Sequence, residues 1–139
     1  MDKIERFGVS MKAELLQAFD NRIREKGYAT RSEAIRDIIR DYLVEGEWED
    51  QSGEVVGTVT IVYDHGTHEL SDALTDIQHS NHRAIICATH VHLDEHNCLE
   101  TVVIRGSSKE IRSIAERLIA TRGVKHGKLM CTTTGRRIS

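Results

Sequence analysis

Three histidines and a cysteine lie within ten residues of this chain, in the stretch THVHLDEHNC. Side chains alternate along a β-strand, so His90 and His92 would point to the same face about 7 Å apart. If LDEHN turns the chain back, Cys98 returns beside the two imidazoles. Two nitrogens and one sulfur at one point are a set of metal ligands. His79, at the end of a preceding helix, is the candidate for a fourth donor, reaching across from a neighbouring subunit.

The spacing of these donors leaves the identity of the metal open. A thiolate with imidazoles suits zinc in tetrahedral geometry and copper(II) or nickel(II) in square-planar geometry. Taken singly, each residue is more often a surface histidine or a small buried cysteine, but together on one hairpin they favour a metal site. Glu100 lies on the same strand face as Cys98. It could be the general base of a catalytic zinc site; we prefer a carboxylate that holds a ligand histidine in one tautomer.

Composition indicates a globular, cytoplasmic protein. The chain has 139 residues, 39% of them apolar, and apolar runs such as AIICA are far shorter than the roughly 20 residues of a membrane span. Three separated cysteines are typical of reduced thiols rather than of a disulfide framework. The 19 basic and 22 acidic residues give no strongly basic footprint, so DNA binding would depend on local features.

The second part of the chain, residues 54–139, alternates strand and helix patterns. The predicted strands are VVGTVTIVYDH, AIICATHVHL, CLETVVIRG and GKLMCTTT, and apolar residues at helical spacing occupy 69–78 and 111–119. The order βαββαβ predicts a ferredoxin-like domain, a four-stranded antiparallel sheet with two helices on one face.

The first part, residues 1–45, predicts a strand followed by two helices. RFGVSM alternates apolar and polar residues, as a half-buried strand does. A helical apolar pattern then ends at Gly27, and a second helix begins at TRSE, where Thr30 is the predicted cap. The polar stretch Val44–Val55 is interpreted as a linker, and the whole chain as an α+β protein.

A strand and two helices are too small to fold alone, which implies a dimer. Pairing the strand with its own copy gives the ribbon-helix-helix (βαα) arrangement, which places the paired strands in the major groove of DNA. Arg6 and Ser10 would contact bases, with Gly8 between them. The plainer alternative for this region is a dimerisation module that binds no DNA.

The chain resembles the NikR-type nickel-responsive transcriptional regulators over nearly its whole length. The motifs RFGVSM, GYATRSEAIRD, TIVYDH, QHSNH, THVHLDEHNCLE and GVKHGKL match the pattern of that family in order. One departure is Gly8, which stands where the outward strand positions of the family are commonly Thr or Ser.

The resemblance implies a homotetramer, with two ribbon-helix-helix dimers flanking a core of ACT-like domains, that binds a palindromic operator. It implies one nickel(II) per subunit, held in square-planar geometry by His90, His92 and Cys98 of one subunit and His79 of another. Cys98 would then be the soft, anionic ligand of the site.

Further positions match residues of the family that lie outside the nickel site. Glu33 and Asp37 match positions that can hold potassium where the two kinds of domain meet. Tyr63 and His65 match positions near an alternative metal or domain-contact surface.

The resulting hypothesis is a DNA-binding regulator, not an enzyme, that represses nickel-uptake genes when nickel is plentiful. Two other classes remain in view. A metal-storage module would use its N-terminal dimer only for assembly, and a zinc hydrolase would depend on Glu100 for turnover.

Overall fold

A computed structural model describes residues 2–139, which divide into two compact units, one ending at Asp41 and the other beginning at Tyr42. In the first unit, helix α1 (Ala13–Glu25) is followed by a turn in which Gly27 has φ 85°. Only glycine adopts this left-handed conformation without strain, so the turn ends the helix. Helix α2 (Arg31–Glu49) begins where the Thr30 hydroxyl accepts the backbone N–H of Glu33 at 3.2 Å, as the sequence TRSE predicts.

The predicted strand RFGVSM forms no regular strand within the described part of this single chain. Its apolar side chains are exposed, Phe7 by 71% and Val9 by 67%. A lone strand has no neighbour for its backbone groups or its apolar face, so it needs a second strand before a ladder can exist.

Helix α2 is longer than the sequence pattern indicates, because it includes residues 44–49 of the stretch interpreted as a linker. That interpretation was wrong for this part. Val44 and Trp48 are one helical turn apart, and both pack against the hydrophobic core of the second unit. This burial offsets the helix-weakening effect of Gly46, which lies in open space: a Cβ added there would meet nothing within 4 Å.

The second unit is a four-stranded antiparallel sheet with two helices, in the predicted order βαββαβ. After α2 come β1 (Val55–Asp64), α3 (Leu70–Ser80), β2 (Ile85–His92), β3 (Asn97–Gly106), α4 (Ser108–Ala120) and β4 (Val124–Thr132). The strand order is β2-β3-β1-β4, the arrangement of a ferredoxin-like or ACT-like sheet.

The core lies between one face of this sheet and the two helices. Alternate residues of β1 and β3 are buried, as the period of two in a half-covered sheet requires. The buried partners from the helices include Leu74 of α3 and Ile111, Ile114 and Leu118 of α4. The C-terminal ends of β1 and β2 and the N-terminal end of β3 carry the candidate site residues described next. None of the helices in residues 2–139 is long and apolar enough to cross a membrane.

Candidate metal centre

His92 and Cys98 face each other across the β2–β3 hairpin. They are direct partners in the strand register, and the His92 Nδ1 atom lies 3.3 Å from the Cys98 sulfur. The sulfur belongs to a fully buried residue, whereas His92 is exposed. Burial is the main cause that raises the pKa of the Cys98 thiol. A cation brought to this position would favour the thiolate and reverse that effect.

His90 lies next to His92 on the same face of β2, as their spacing predicts. The centroids of the two rings are 5.2 Å apart. The His90 Nδ1 atom lies 3.2 Å from the Tyr63 hydroxyl, which also donates to a carboxylate oxygen of Glu100 at 3.1 Å. Because the Tyr63 proton points to Glu100, the hydroxyl oxygen is left to accept from His90 Nδ1–H. The other nitrogen, Nε2, then carries the lone pair that a metal requires.

Glu100 is buried, with 8% of its surface exposed, and both of its oxygens are engaged. One accepts from Tyr63, and the other accepts from the Gln78 side-chain amide at 2.9 Å. Its influence on His90 therefore passes through Tyr63 rather than through a direct bond to a histidine. Gln78 precedes His79 on α3, so the same carboxylate also contacts the helix that carries the fourth predicted donor.

His65 joins His92 and Cys98, although the spacing of residues along the strands did not predict it as their neighbour; only the family resemblance had placed it near an alternative metal or domain-contact surface. One candidate ligand atom from each of the three residues lies within 4.8 Å of the others. The His65 Nε2 atom donates to the Glu95 carbonyl at 2.8 Å, which leaves Nδ1 with the free lone pair. The cause is the register between β1 and β3, where Tyr63 pairs with Cys98 and the next residues enter the turn.

His79 lies apart from this group, exposed in the last turn of α3. In the described residues of one chain, the donors that converge are therefore His65, His92 and Cys98. His90 lies beside His92 but is not part of this group. These imidazole and thiolate donors suit nickel(II), copper(II) or zinc, and exclude a hard cation such as magnesium or calcium as the natural occupant.

The hairpin turn is held by Asp94. One of its carboxylate oxygens accepts the backbone N–H groups of His96 and Asn97 at 2.8 and 2.7 Å. Hydrogen bonding, first from the Asn97 side chain, lowers the pKa of Asp94 to about 2. The Lys125 ammonium of β4 donates to Asn97 at 2.6 Å, which fixes the turn from the other side. The turn is therefore a rigid support for its flanking donors.

The predicted DNA-contacting residues Arg6, Gly8 and Ser10 are all exposed. On α2, Glu33 is exposed, and Asp37 accepts hydrogen bonds from Tyr28 at 2.7 Å and Arg40 at 3.1 Å. Asp37 is thus already occupied by two donors within its own unit.

Comparison with known proteins gives two family matches. Residues 56–132 match the NikR C-terminal nickel binding domain, and residues 5–46 match the ribbon-helix-helix proteins of the copG family. A solved structure, that of the uncharacterized protein TM1266 from Thermotoga maritima, has a TM-score of 0.51 and 15% identity. It covers 57% of this chain and 98% of its own, and it supports the fold alone.

Relatives of known name match over almost the entire chain. A protein of Geobacter sulfurreducens is 58% identical over 97% of both chains. One of Caldanaerobacter subterraneus is 55% identical over 97% of this chain and 88% of its own, and one of Thermococcus onnurineus is 55% identical over 98% and 99%. All three are named as nickel-responsive regulators, which are not enzymes, so the zinc hydrolase alternative is set aside. With both family matches in chain order, the protein belongs to the nickel-responsive regulators that join a ribbon-helix-helix DNA-binding domain to a nickel-binding domain.

Proposed function

We propose that this protein binds nickel(II) and, in response, binds a palindromic operator and represses genes for nickel uptake. The observation that carries the proposal is the approach of His92 to 3.3 Å from the Cys98 sulfur, beside His90, on one rigid hairpin. Residues 1–45 form the DNA-binding domain and residues 54–139 the metal-binding domain. The protein acts in the cytoplasm, where the DNA is.

The proposed ligands are His90, His92 and Cys98 of one subunit and His79 of another, with one nickel per subunit of a homotetramer. The exposure of His79 at the end of α3 supports this arrangement, since the side chain is accessible to a second chain. Nickel would be held by these imidazole and thiolate donors and would supply a cationic centre that links the hairpin of one subunit to the helix of another. His65 offers the competing donor within the same subunit.

The buried carboxylate of Glu100 is connected by hydrogen bonds both to the hairpin histidine His90 and to the helix that carries His79. Through Tyr63 it holds His90 in the tautomer with a free Nε2, and through Gln78 it contacts the helix that ends at His79. Groups that orient ligands in this way commonly change metal affinity by about 10- to 100-fold.

The DNA is read by the strand residues Arg6 and Ser10, with Gly8 allowing close approach of the backbone. Potassium would be held at Glu33 and Asp37, which lie one helical turn apart on α2, and it would share Asp37 with the Tyr28 and Arg40 hydrogen bonds. Binding of His79 to the same ion as the hairpin would order the end of α3. Nickel shifts DNA binding only by its differential affinity for the competent state, typically about 1 to 3 kcal/mol, or roughly 5- to 150-fold.

The test is a fluorescence anisotropy titration of metal-stripped protein on the promoter region of its own gene, with no metal, nickel or zinc. We expect nickel to tighten binding by roughly 5- to 150-fold in the wild-type chain and to have no effect in Cys98→Ala. His79→Ala and His65→Ala identify the fourth donor, because only loss of the true ligand removes the response. DNA binding that is the same with and without nickel contradicts the proposal.

A further inference from the structure

Trp48 lies at the end of α2 and is the only tryptophan in the chain. It is 5% exposed and belongs to the core of the second unit. Its indole N–H donates to the backbone carbonyl of Thr132, the last residue of β4, at 2.8 Å. A Cβ added at Gly57 of β1 would lie 3.2 Å from the indole ring, so this glycine makes room for it.

A charged contact covers the indole from outside. The guanidinium of Arg112, on α4, lies 5.1 Å from the centroid of the Trp48 ring, within the range of a cation–π interaction. Trp48 therefore contacts a helix, a strand end and a glycine of the same sheet.

The chain on either side of this contact is tied together by ion pairs. Asp50 lies 3.8 Å from the Arg137 guanidinium, and Glu54 lies 2.7 Å from Arg105 and 3.9 Å from Arg136. These pairs are partly exposed and individually weak. Two of them join the segment after α2 to the segment after β4, and the pair with Arg105 joins it to β3.

Helix α2 is one continuous helix, yet the boundary between the two compact units falls within it, between Asp41 and Tyr42. Its start belongs to the first unit and its end to the second. Rigid secondary elements are among the structures that can carry coupling between sites. Helix α2 can carry coupling in this way only while its last turn stays packed on the metal-binding sheet.

We propose that Trp48 is a positioning residue, and that the clasp formed by Trp48, Thr132 and Arg112 is required for nickel to change the affinity for DNA. This inference rests on the proposed function and adds the device through which that function operates. Trp48 lies outside the candidate metal site, so its loss should uncouple the two activities without removing nickel binding.

The experiment measures, for the full-length protein, the nickel affinity and the ratio of DNA dissociation constants without and with nickel. We expect a ratio of roughly 5 to 150 in the wild type and about 1 in Trp48→Ala, at unchanged nickel affinity. Trp48→Phe keeps the packing but not the donor to Thr132, and should restore part of the ratio. Arg112→Gln should lower it, while Arg117→Gln, the same change in charge on the same helix, should not.

The outcomes separate the clasp from the proposed function. A wild-type ratio that persists in Trp48→Ala overturns the clasp alone, and so does a loss of nickel binding in parallel with the ratio, which indicates a purely structural role. A wild-type ratio of 1 overturns the proposed function and the coupling role with it. Acrylamide quenching of Trp48 in the wild type gives an independent check, because an accessible indole would contradict the clasp whatever nickel does.

Discussion

At the scale of single residues, the carboxylate of Glu100 selects which nitrogen of His90 a metal can reach. Because a carboxylate only accepts, the Tyr63 proton must point towards it, and the Tyr63 oxygen must then accept from His90. In Glu100→Gln the amide can donate to Tyr63, whose proton would turn to His90 and move the histidine proton to Nε2. We expect nickel affinity to fall by about 10- to 100-fold, measured by competition with a chelator of known affinity.

Two variants test whether the tautomer is the cause. Tyr63→Phe removes the bridge but keeps the carboxylate, and should weaken nickel binding in the same direction. Glu95→Gln makes the same change in charge in the turn of the same hairpin and should bind nickel as the wild type does. Unchanged affinity in Glu100→Gln would contradict the role assigned to the carboxylate.

The residues of the hairpin could be predicted from their spacing, because alternation along a strand is a local property. The approach of His92 to Cys98 needs only a turn between them. The position of His65 could not be predicted in this way. It depends on the register between β1 and β3, in which Tyr63 pairs with Cys98, a residue distant in the sequence. Sequence periodicity indicates which face of each strand is buried, but it does not identify which residues of two distant strands are paired.

At the scale of elements, we expect the replacement of glycine by alanine to have opposite effects on stability at two positions. A Cβ at Gly127 of β4 would lie 2.6 Å from a side-chain carbon of Ile119 on α4 and 3.0 Å from one of Ile61 on β1. Gly127→Ala therefore overpacks the layer between helix and sheet and should destabilise the protein by about 1 to 3 kcal/mol. Gly46 lies inside α2, and a Cβ added there would have nothing within 4 Å. Gly46→Ala should stabilise the protein by roughly 0.5 to 1 kcal/mol.

Urea unfolding followed by circular dichroism, at equal protein concentrations, measures both free energies of unfolding. The two variants are controls for each other, because each adds one methyl group to the second unit. A stabilising Gly127→Ala would mean that α4 can move away from the sheet without loss.

The order of helices and strands followed from hydrophobic period and from caps, which are local. The end of α2 could not be predicted from such local signals. Gly46 lowers the helix propensity of this stretch, and its glutamates are unfavourable near the negative end of the helix dipole. The opposing contribution comes from Trp48, whose hydrogen-bond partner Thr132 lies 84 positions away. Tertiary burial overrides a local signal here. At residues 6–11 the reason differs: the strand pattern is present, but the described residues offer no neighbouring strand and Phe7 and Val9 stay exposed.

At the scale of the whole molecule, the apolar residues of the predicted N-terminal strand indicate how two chains would pair to form the DNA-binding domain. Phe7 and Val9 are exposed in the single chain, and pairing of two such strands would bury both. Val9→Asp places an unpaired charge in that interface, which is strongly unfavourable. In the proposed tetramer the metal-binding domains form the core. The variant should therefore keep its mass and nickel content, measured by light scattering and metal analysis, while losing DNA binding and N-terminal helix content.

Arg6→Ala is the matched control, since it changes the outward face of the same strand. It should weaken binding to the operator but leave the helix content intact. If Val9→Asp binds DNA as the wild type does, the strands do not form the paired ribbon; if its mass falls to that of a monomer, the tetramer is not held together by its metal-binding core.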